Sequence, residues 1–174
     1  LAVVEDGKSL AYVSEAGTPL VAGPGYKLGV DMRAAGLPLT AAPGASAVLA
    51  ALTVSGLPTD AFHFAGFLAN STTARRSGLE GLKDLQATVV LYESPKRIHA
   101  MLSDLSHLLG EGRNLLVCRH LTKTFAKSLT GPVADALAQH NGRMLKGEIV
   151  LLIERGDVTV MHDDDGKEAL VAYM

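Results

Sequence analysis

The 174-residue sequence has no tryptophan and only one cysteine, Cys118, so an internal disulfide is excluded. We expect this thiol to pack as a small apolar residue in a reducing, cytoplasmic setting. No apolar run approaches the roughly 20 residues that cross a bilayer. The 48% hydrophobic content still supplies a real core, and the net charge of −2 excludes a uniformly basic surface for nucleic acid. The sequence therefore predicts an ordered, soluble protein.

The common nucleotide, hydrolase and metal motifs are also missing. Gly23-Pro24-Gly25 begins a G-x-G-x-x-G pattern, but Leu28 occupies the place of the third glycine. No P-loop and no G-x-S-x-G motif is present, and the six histidines show neither i, i+4 pairing nor a cysteine pair. The sequence thus predicts no dinucleotide site, no serine hydrolase and no metal centre.

Two loops of small residues are the most prominent features of the first third of the chain. The stretch AYVSEAGTPLVAGPGYKLG places several glycines and prolines directly after a predicted strand at 10–13. The loop PGAS at 43–46 follows a second predicted strand at 37–42. Helices are predicted after these loops at 26–35 and 47–54. Strand, loop and helix in alternation indicate a parallel α/β unit, in which ligands bind at the carboxyl ends of strands.

We predict a domain boundary near residues 59–62, where the sequence becomes aromatic. The elements predicted after it are helices at 73–82, 96–109 and 132–139 and strands at 87–92, 114–118 and 148–154. The last strand is almost wholly apolar, which is typical of the centre of a sheet.

Positive charge is concentrated in the second half of the sequence. From Arg75 to Lys127 there are nine Lys/Arg against five Asp/Glu, a local charge of +4, and the rest of the chain carries −6. This distribution suits an anionic substrate held against the second domain. The alternative is that these are scattered, solvated charges on outward helix faces.

Seven segments in order carry a family resemblance: SEAGTPL, GPGYKL, PGASAVLAALTVSGLPTDAFHFAGFL, ARR, VVLYESPKRI, RHLTK and GEIVLLIE. Together they resemble the tetrapyrrole-methylase-like family, in particular its branch of bacterial small-subunit ribosomal RNA (cytidine-2'-O)-methyltransferases. The resemblance implies a two-domain α/β fold of the class III methyltransferase type. Residues 1–61 would form a truncated parallel sheet with helices, and residues 62–174 a mixed sheet with helices. It also implies S-adenosylmethionine in the cleft, ribosomal RNA as substrate, a cytoplasmic location and a homodimer.

The resemblance further implies roles for individual residues. The residues expected at the cofactor are Gly17, Thr18, Pro19, Val21, Ser46, Ala47, Tyr92 and Gly147. The residues expected to act in catalysis are Glu93 as base, with Arg119 and Lys123 as cations beside the developing alkoxide. The residues expected at the RNA backbone are Arg75, Arg76, Lys96 and Arg97. Plainer structural alternatives stay open: Gly17 as a turn glycine, Ser46 as a helix cap, Tyr92 as a core residue, and Arg75 and Arg76 as a solvated helix face.

The sequence departs from the family pattern at several acidic positions. Glu15 and Gly23 stand where the family has Asp, and His120 replaces a Glu. A Gly-Thr-Pro-Ile-Gly-Asn-like loop, expected before the first motif, does not precede Leu1, so we expect the chain to be part of a longer one. Two other functions therefore stay open: a small-molecule methylase of the same fold, and a truncated remnant without catalysis.

Overall fold

The computed structural model describes residues 1–121, 124, 126–140 and 147–156. The described helices are α1 (Ala2–Glu5), α2 (Tyr26–Ala34), α3 (Ala47–Ser55), α4 (Thr72–Glu80), α5 (Ile98–Leu109) and α6 (Val133–His140). The described strands are β1 (Phe62–Phe67), β2 (Thr88–Glu93), β3 (Asn114–Arg119), β4 (Lys127–Pro132) and β5 (Ile149–Ile153). Among the helices of this described part, none has the length and apolarity that a membrane span requires.

The five strands form one mixed sheet in the order β1-β2-β5-β3-β4. β1 runs parallel to β2, whereas the other neighbouring pairs are antiparallel. β5 lies in the middle and all five of its residues are buried, so the prediction of a central apolar strand is confirmed. The mixed sheet predicted for the second part of the chain is likewise confirmed.

The two faces of the sheet carry separate apolar cores. Side chains alternate along β5, so that Leu151 packs towards α5 and α6 while Leu152 packs towards α3. The α3 side also includes Val48 and Leu52 of the helix itself. Helix α3 therefore shares a core with strands that follow the predicted boundary at 59–62. The boundary stays a prediction.

The two strands predicted in residues 1–61 are wrong. Residues 10–13 and 37–42 form no strand, and the described part of residues 1–61 contains helices and loops but no sheet. A strand is held by hydrogen bonds to a neighbour, and the described sheet begins at β1, to which neither segment is paired. Val13 is accordingly 82% exposed. Helices α2 and α3 do form as predicted, and α3 ends at Gly56, whose φ of +69° favours glycine.

Burial makes Cys118 an unreactive thiol, and this yields a first prediction. The side chain lies in the α3-side core, and desolvation raises the pKa of Cys118 to about 11. Because the thiolate is the nucleophile, we expect negligible reaction with a disulfide reagent at pH 8 until the protein unfolds. Thiol titration with and without denaturant measures this. Rapid modification of the folded protein would contradict the burial.

Candidate functional site

A single cavity collects the residues that the sequence assigned to a cofactor. Its volume is about 400 Å³, and it lies between the loop at 14–24, the start of α3, the end of β2 and the start of β5. The lining includes all eight predicted residues: Gly17, Thr18, Pro19, Val21, Ser46, Ala47, Tyr92 and Gly147. Residues that are not close in sequence thus meet around one space. Their role towards a ligand stays a prediction.

The start of α3 lines the cavity with Ser46, Ala47 and Val48. Ser46 is the N-cap, and its Oγ accepts a hydrogen bond from the Leu49 amide at 3.4 Å. The capping role considered for Ser46 is therefore confirmed, and it is compatible with a place at the cavity. The amides of Ala47 and Val48 belong to the first turn of the helix, whose N–H groups have no partner within it. Such a helix start favours a carboxylate or another anion.

The loop at 14–24 is tied to the start of α3 and has an unusual backbone. Thr18 Oγ1 donates a hydrogen bond to the Ala45 carbonyl at 3.0 Å, which joins the two predicted ligand loops. The Thr18 oxygen keeps its lone pairs for a ligand. Leu20 and Ala22 both have positive φ values, +68° and +50°, although neither is glycine. Non-glycine residues in this region carry strain, which often accompanies a binding site.

Two aromatic rings, those of Phe67 and Tyr92, line the cavity, and Phe64 packs against Tyr92 behind them. The Tyr92 ring lies 4.9 Å from that of Phe64 and 5.5 Å from that of Phe67, between centroids. Burial, with a smaller contribution from the charge of Glu148, raises the pKa of Tyr92 above its ordinary value. The phenol is therefore neutral at physiological pH and can donate a hydrogen bond. Sequence reasoning missed Phe67, because nothing in an aromatic run indicates which ring faces a cavity.

Gly147 also lines the cavity, and it lies in close contact with His120. Its φ is +92°, and a Cβ added there would collide with the His120 ring. The backbone amide of His120 also donates to the Glu148 carbonyl at 3.2 Å. Both a backbone conformation and a packed ring therefore require glycine at this position.

Glu93 lines the cavity, but its carboxylate is already engaged. The side chain is fully buried, and its oxygens accept hydrogen bonds from Arg97 Nε at 2.8 Å and Nη2 at 2.9 Å. The Ser94 amide donates a further one at 2.6 Å. These three hydrogen bonds fix the position of the carboxylate. The assignment of Glu93 as base stays a prediction, and its contacts tie the end of β2 to the turn at Ser94 and to Arg97.

Two of the predicted RNA-binding arginines share one buried carboxylate. Arg75 Nε donates to Asp104 Oδ2 and Arg76 Nε to Asp104 Oδ1, both at 2.7 Å. The Arg75 side chain is 5% exposed and that of Arg76 is 45% exposed. Arg75 has no accessible guanidinium to offer a phosphate, so its predicted RNA contact is not supported. The Arg76 side chain remains partly exposed to solvent.

The remaining predicted residues lie at or beyond the rim. Arg119 ends β3 opposite Ile149, which lines the cavity, while Arg119 itself does not. Lys96 is exposed after Pro95 of the cavity wall, and Arg97 is partly buried beside it. Lys123 lies outside the described residues. Within the described ranges, no group of three or more His, Cys, Asp or Glu side chains could share a metal ion.

Comparison with known proteins gives a family match. The model of "Tetrapyrrole (Corrin/Porphyrin) Methylases" matches residues 1–137. "Ribosomal RNA small subunit methyltransferase I" of Mesorhizobium japonicum is 44% identical over 155 residues, covering 88% of this chain and 52% of that protein. The protein of the same name from Halalkalibacterium halodurans is 40% identical, covering 86% and 51%. The chain thus spans about half the length of these relatives.

Solved structures share the fold at low sequence identity. The methyltransferase CobJ superposes with a TM-score of 0.66 at 22% identity, covering 88% of this chain and 67% of that one. Uroporphyrin-III C-methyl transferase from Thermus thermophilus, complexed with S-adenyl homocysteine, gives 0.52 at 18% identity, covering 78% and 62%. These likenesses establish the architecture of the described sheet and helices.

Proposed function

Because this chain belongs to the tetrapyrrole (corrin/porphyrin) methylase family, we propose that its cavity binds S-adenosylmethionine and that the protein methylates the 2'-oxygen of a cytidine in small-subunit ribosomal RNA. The observation that carries the proposal is the convergence of all eight predicted cofactor residues on one cavity. The names of the 40–44% identical relatives support ribosomal RNA as the substrate.

The cavity fits this cofactor in size and chemistry. Its volume of about 400 Å³ lies within the range of small-molecule sites, roughly 300–1,000 Å³. The amides of Ala47 and Val48 would hold a carboxylate, and the apolar wall with Tyr92 would take a flat aromatic ring. The structural relative bound to S-adenyl homocysteine supports the same choice of ligand. When bound, S-adenosylmethionine supplies a methyl group already activated on a sulfonium.

The protein's own contribution is mainly alignment of the acceptor hydroxyl and exclusion of water. Glu93 fixes the turn at Ser94 through its hydrogen bonds and so positions the cavity wall. Arg119, opposite Ile149 in the sheet, remains our candidate for stabilising negative charge on the attacking oxygen, together with Lys123. Lys96, Arg97 and the exposed edge of Arg76 are the candidates for RNA phosphates.

Two measurements on one sample test the proposal. Calorimetric titration with S-adenosylmethionine is expected to show one site per chain. Incubation of unmethylated 30S subunits with radiolabelled S-adenosylmethionine, followed by digestion to nucleosides, is expected to yield 2'-O-methylcytidine. Cofactor binding with label in another nucleoside would overturn the cytidine assignment alone.

The alternatives separate in the same experiment. A small-molecule methylase of this fold would bind the cofactor and leave RNA unlabelled, while transferring the methyl group to a tetrapyrrole. A non-catalytic remnant would bind no cofactor. The homodimer and the cytoplasmic location that the resemblance implies remain part of the proposal, and sedimentation of the purified protein tests the first of them.

A further inference from the structure

We propose that Phe67, at the mouth of the cavity, is a stacking platform for a base of the substrate RNA. The inference deepens the proposed function and rests on it. Phe67 lines the cavity, yet its side chain is 60% exposed. A large aromatic ring that is half in a cavity and half in solvent offers a free π-face to a flat ligand.

The Phe67 ring is held in place by contacts with other aromatic rings. Phe67 packs on Tyr92, and Tyr92 packs on Phe64, which is itself partly buried against the α3-side core. A register shift in β1 between Phe64 and Gly66 allows both phenylalanines to contact the same tyrosine. Because the platform is fixed before binding, little conformational entropy is lost when a base stacks on it.

The segment after Phe67 is bound to a cationic network. Arg97 Nη2 donates to the Leu68 carbonyl at 3.0 Å and its Nη1 contacts the Asn70 side chain. Arg75 Nη1 donates to the Asn70 carbonyl at 3.3 Å. The ion-paired side chains of this network are Arg75, Arg76, Arg97, Glu93 and Asp104, which together carry one surplus positive charge.

The surplus charge favours RNA over the cofactor as the partner of Phe67. The exposed edge of Arg76 and the exposed Lys96 lie on elements joined to this network. S-adenosylmethionine has no phosphate, its sulfonium is itself positive, and the place proposed for its carboxylate is the start of α3, so it has no anionic group left for these cations. A nucleotide of single-stranded RNA brings both a base to stack and a phosphate to pair with arginine.

The absence of tryptophan from the sequence allows a direct test. In Phe67→Trp the new indole is the sole tryptophan, and its fluorescence reports stacking. A short single-stranded RNA oligonucleotide containing cytidine is expected to quench the emission, whereas S-adenosylhomocysteine alone leaves it nearly unchanged. Quenching by S-adenosylhomocysteine alone would assign the ring to the cofactor and overturn the proposal.

Affinity measurements give the second readout. Phe67→Ala is expected to weaken RNA binding by about tenfold to a hundredfold without changing its salt dependence, because no phosphate contact is lost. The matched control is Phe62→Ala, an exposed phenylalanine at the other end of the same strand and outside the cavity lining. It is expected to bind RNA as the wild type does.

The outcomes distinguish this inference from the proposed function. If the wild type methylates RNA while Phe67→Ala binds RNA with unchanged affinity, the stacking platform is wrong and the proposed function stands. If the wild type neither binds RNA nor transfers a methyl group to it, both are wrong. Loss of S-adenosylhomocysteine binding in Phe67→Ala, with RNA affinity intact, also overturns the platform.

Discussion

Replacing Asp104 by alanine is expected to lower the free energy of unfolding by about 3–5 kcal/mol. Asp104 is the carboxylate partner of Arg75, whose side chain is 5% exposed. Removing the carboxylate leaves a buried guanidinium without a counter-charge, which is costly in a poorly solvated interior. Chemical denaturation of wild type and variant under identical conditions measures the difference.

The control for Asp104 is an exposed ion pair in the same chain. Arg155 and Asp60 lie 3.2 Å apart, with side chains that are 39% and 69% exposed. Asp60→Ala is expected to cost less than about 1 kcal/mol, because exposed pairs gain little over their hydration. Equal losses in the two variants would show that Asp104 is not a buried counter-charge.

The ion pairs of Asp104 with Arg75 and Arg76 predict how the stability of the fold depends on pH. Burial alone would raise the pKa of Asp104, but hydrogen bonds from Arg76 and Arg75 outweigh it and hold that pKa below its ordinary value. A carboxyl with a lowered pKa stabilises the folded state above its unfolded pKa of about 4 and loses this contribution as the pH falls further. We expect Asp104→Asn to be less stable at neutral pH and to lose less between pH 4 and 2.

The contacts of Asp104 also account for the different exposure of two arginines that look alike in the sequence. Arg75 and Arg76 are adjacent in a helix, and the sequence offers no sign that Asp104, 29 residues beyond Arg75, lies beneath them. The contact of Glu93 with Arg97 is closer in sequence, but it spans the turn between β2 and α5, so helix periodicity does not predict it. Only the structure shows that the carboxylate of Glu93, the predicted base, is hydrogen-bonded to Arg97.

Strands of the sheet could be predicted from the sequence where a continuous apolar segment is paired with neighbouring strands. The strands β2, β3 and β5 are continuous apolar segments buried between neighbours, and the sequence indicates all three. β4 was missed because an edge strand reading KSLTGP has a single large apolar residue, and β1 because its bulge breaks the alternation of an aromatic run. The failed strands at 10–13 and 37–42 show the converse, since apolar sequence without a pairing partner gives no strand.

The cavity was predicted through the resemblance, and composition alone would not have found it. Glycine and proline mark the loops, but turn glycines and ligand-binding glycines have the same sequence signal. What the structure adds is the meeting of these loops with the end of β2 and the start of β5, and the contact of Thr18 with Ala45 that joins them. That meeting depends on long-range pairing, which a local pattern does not encode.

Replacing Gly147 by alanine is expected to weaken S-adenosylmethionine binding by at least tenfold. At a φ of +92° an alanine is strained, and its Cβ would collide with the His120 ring, so either the ring or the cavity wall must move. Because Gly147 lines the cavity, a shift of the backbone there narrows or opens the ligand space. Calorimetric titration with S-adenosylmethionine measures the loss.

Two control variants separate the collision with His120 from the backbone strain at Gly147. Gly112→Ala makes the same chemical change at a glycine with open space around it, and its affinity is expected to match the wild type. His120→Ala combined with Gly147→Ala removes the colliding ring but keeps the strained backbone, so affinity should recover in part. If the double variant binds S-adenosylmethionine as weakly as Gly147→Ala alone, removing the ring has no effect, and the whole loss of affinity is assigned to the backbone. A partial recovery would show that the two positions are coupled. Unchanged affinity in Gly147→Ala would exclude this glycine from the wall of the binding site.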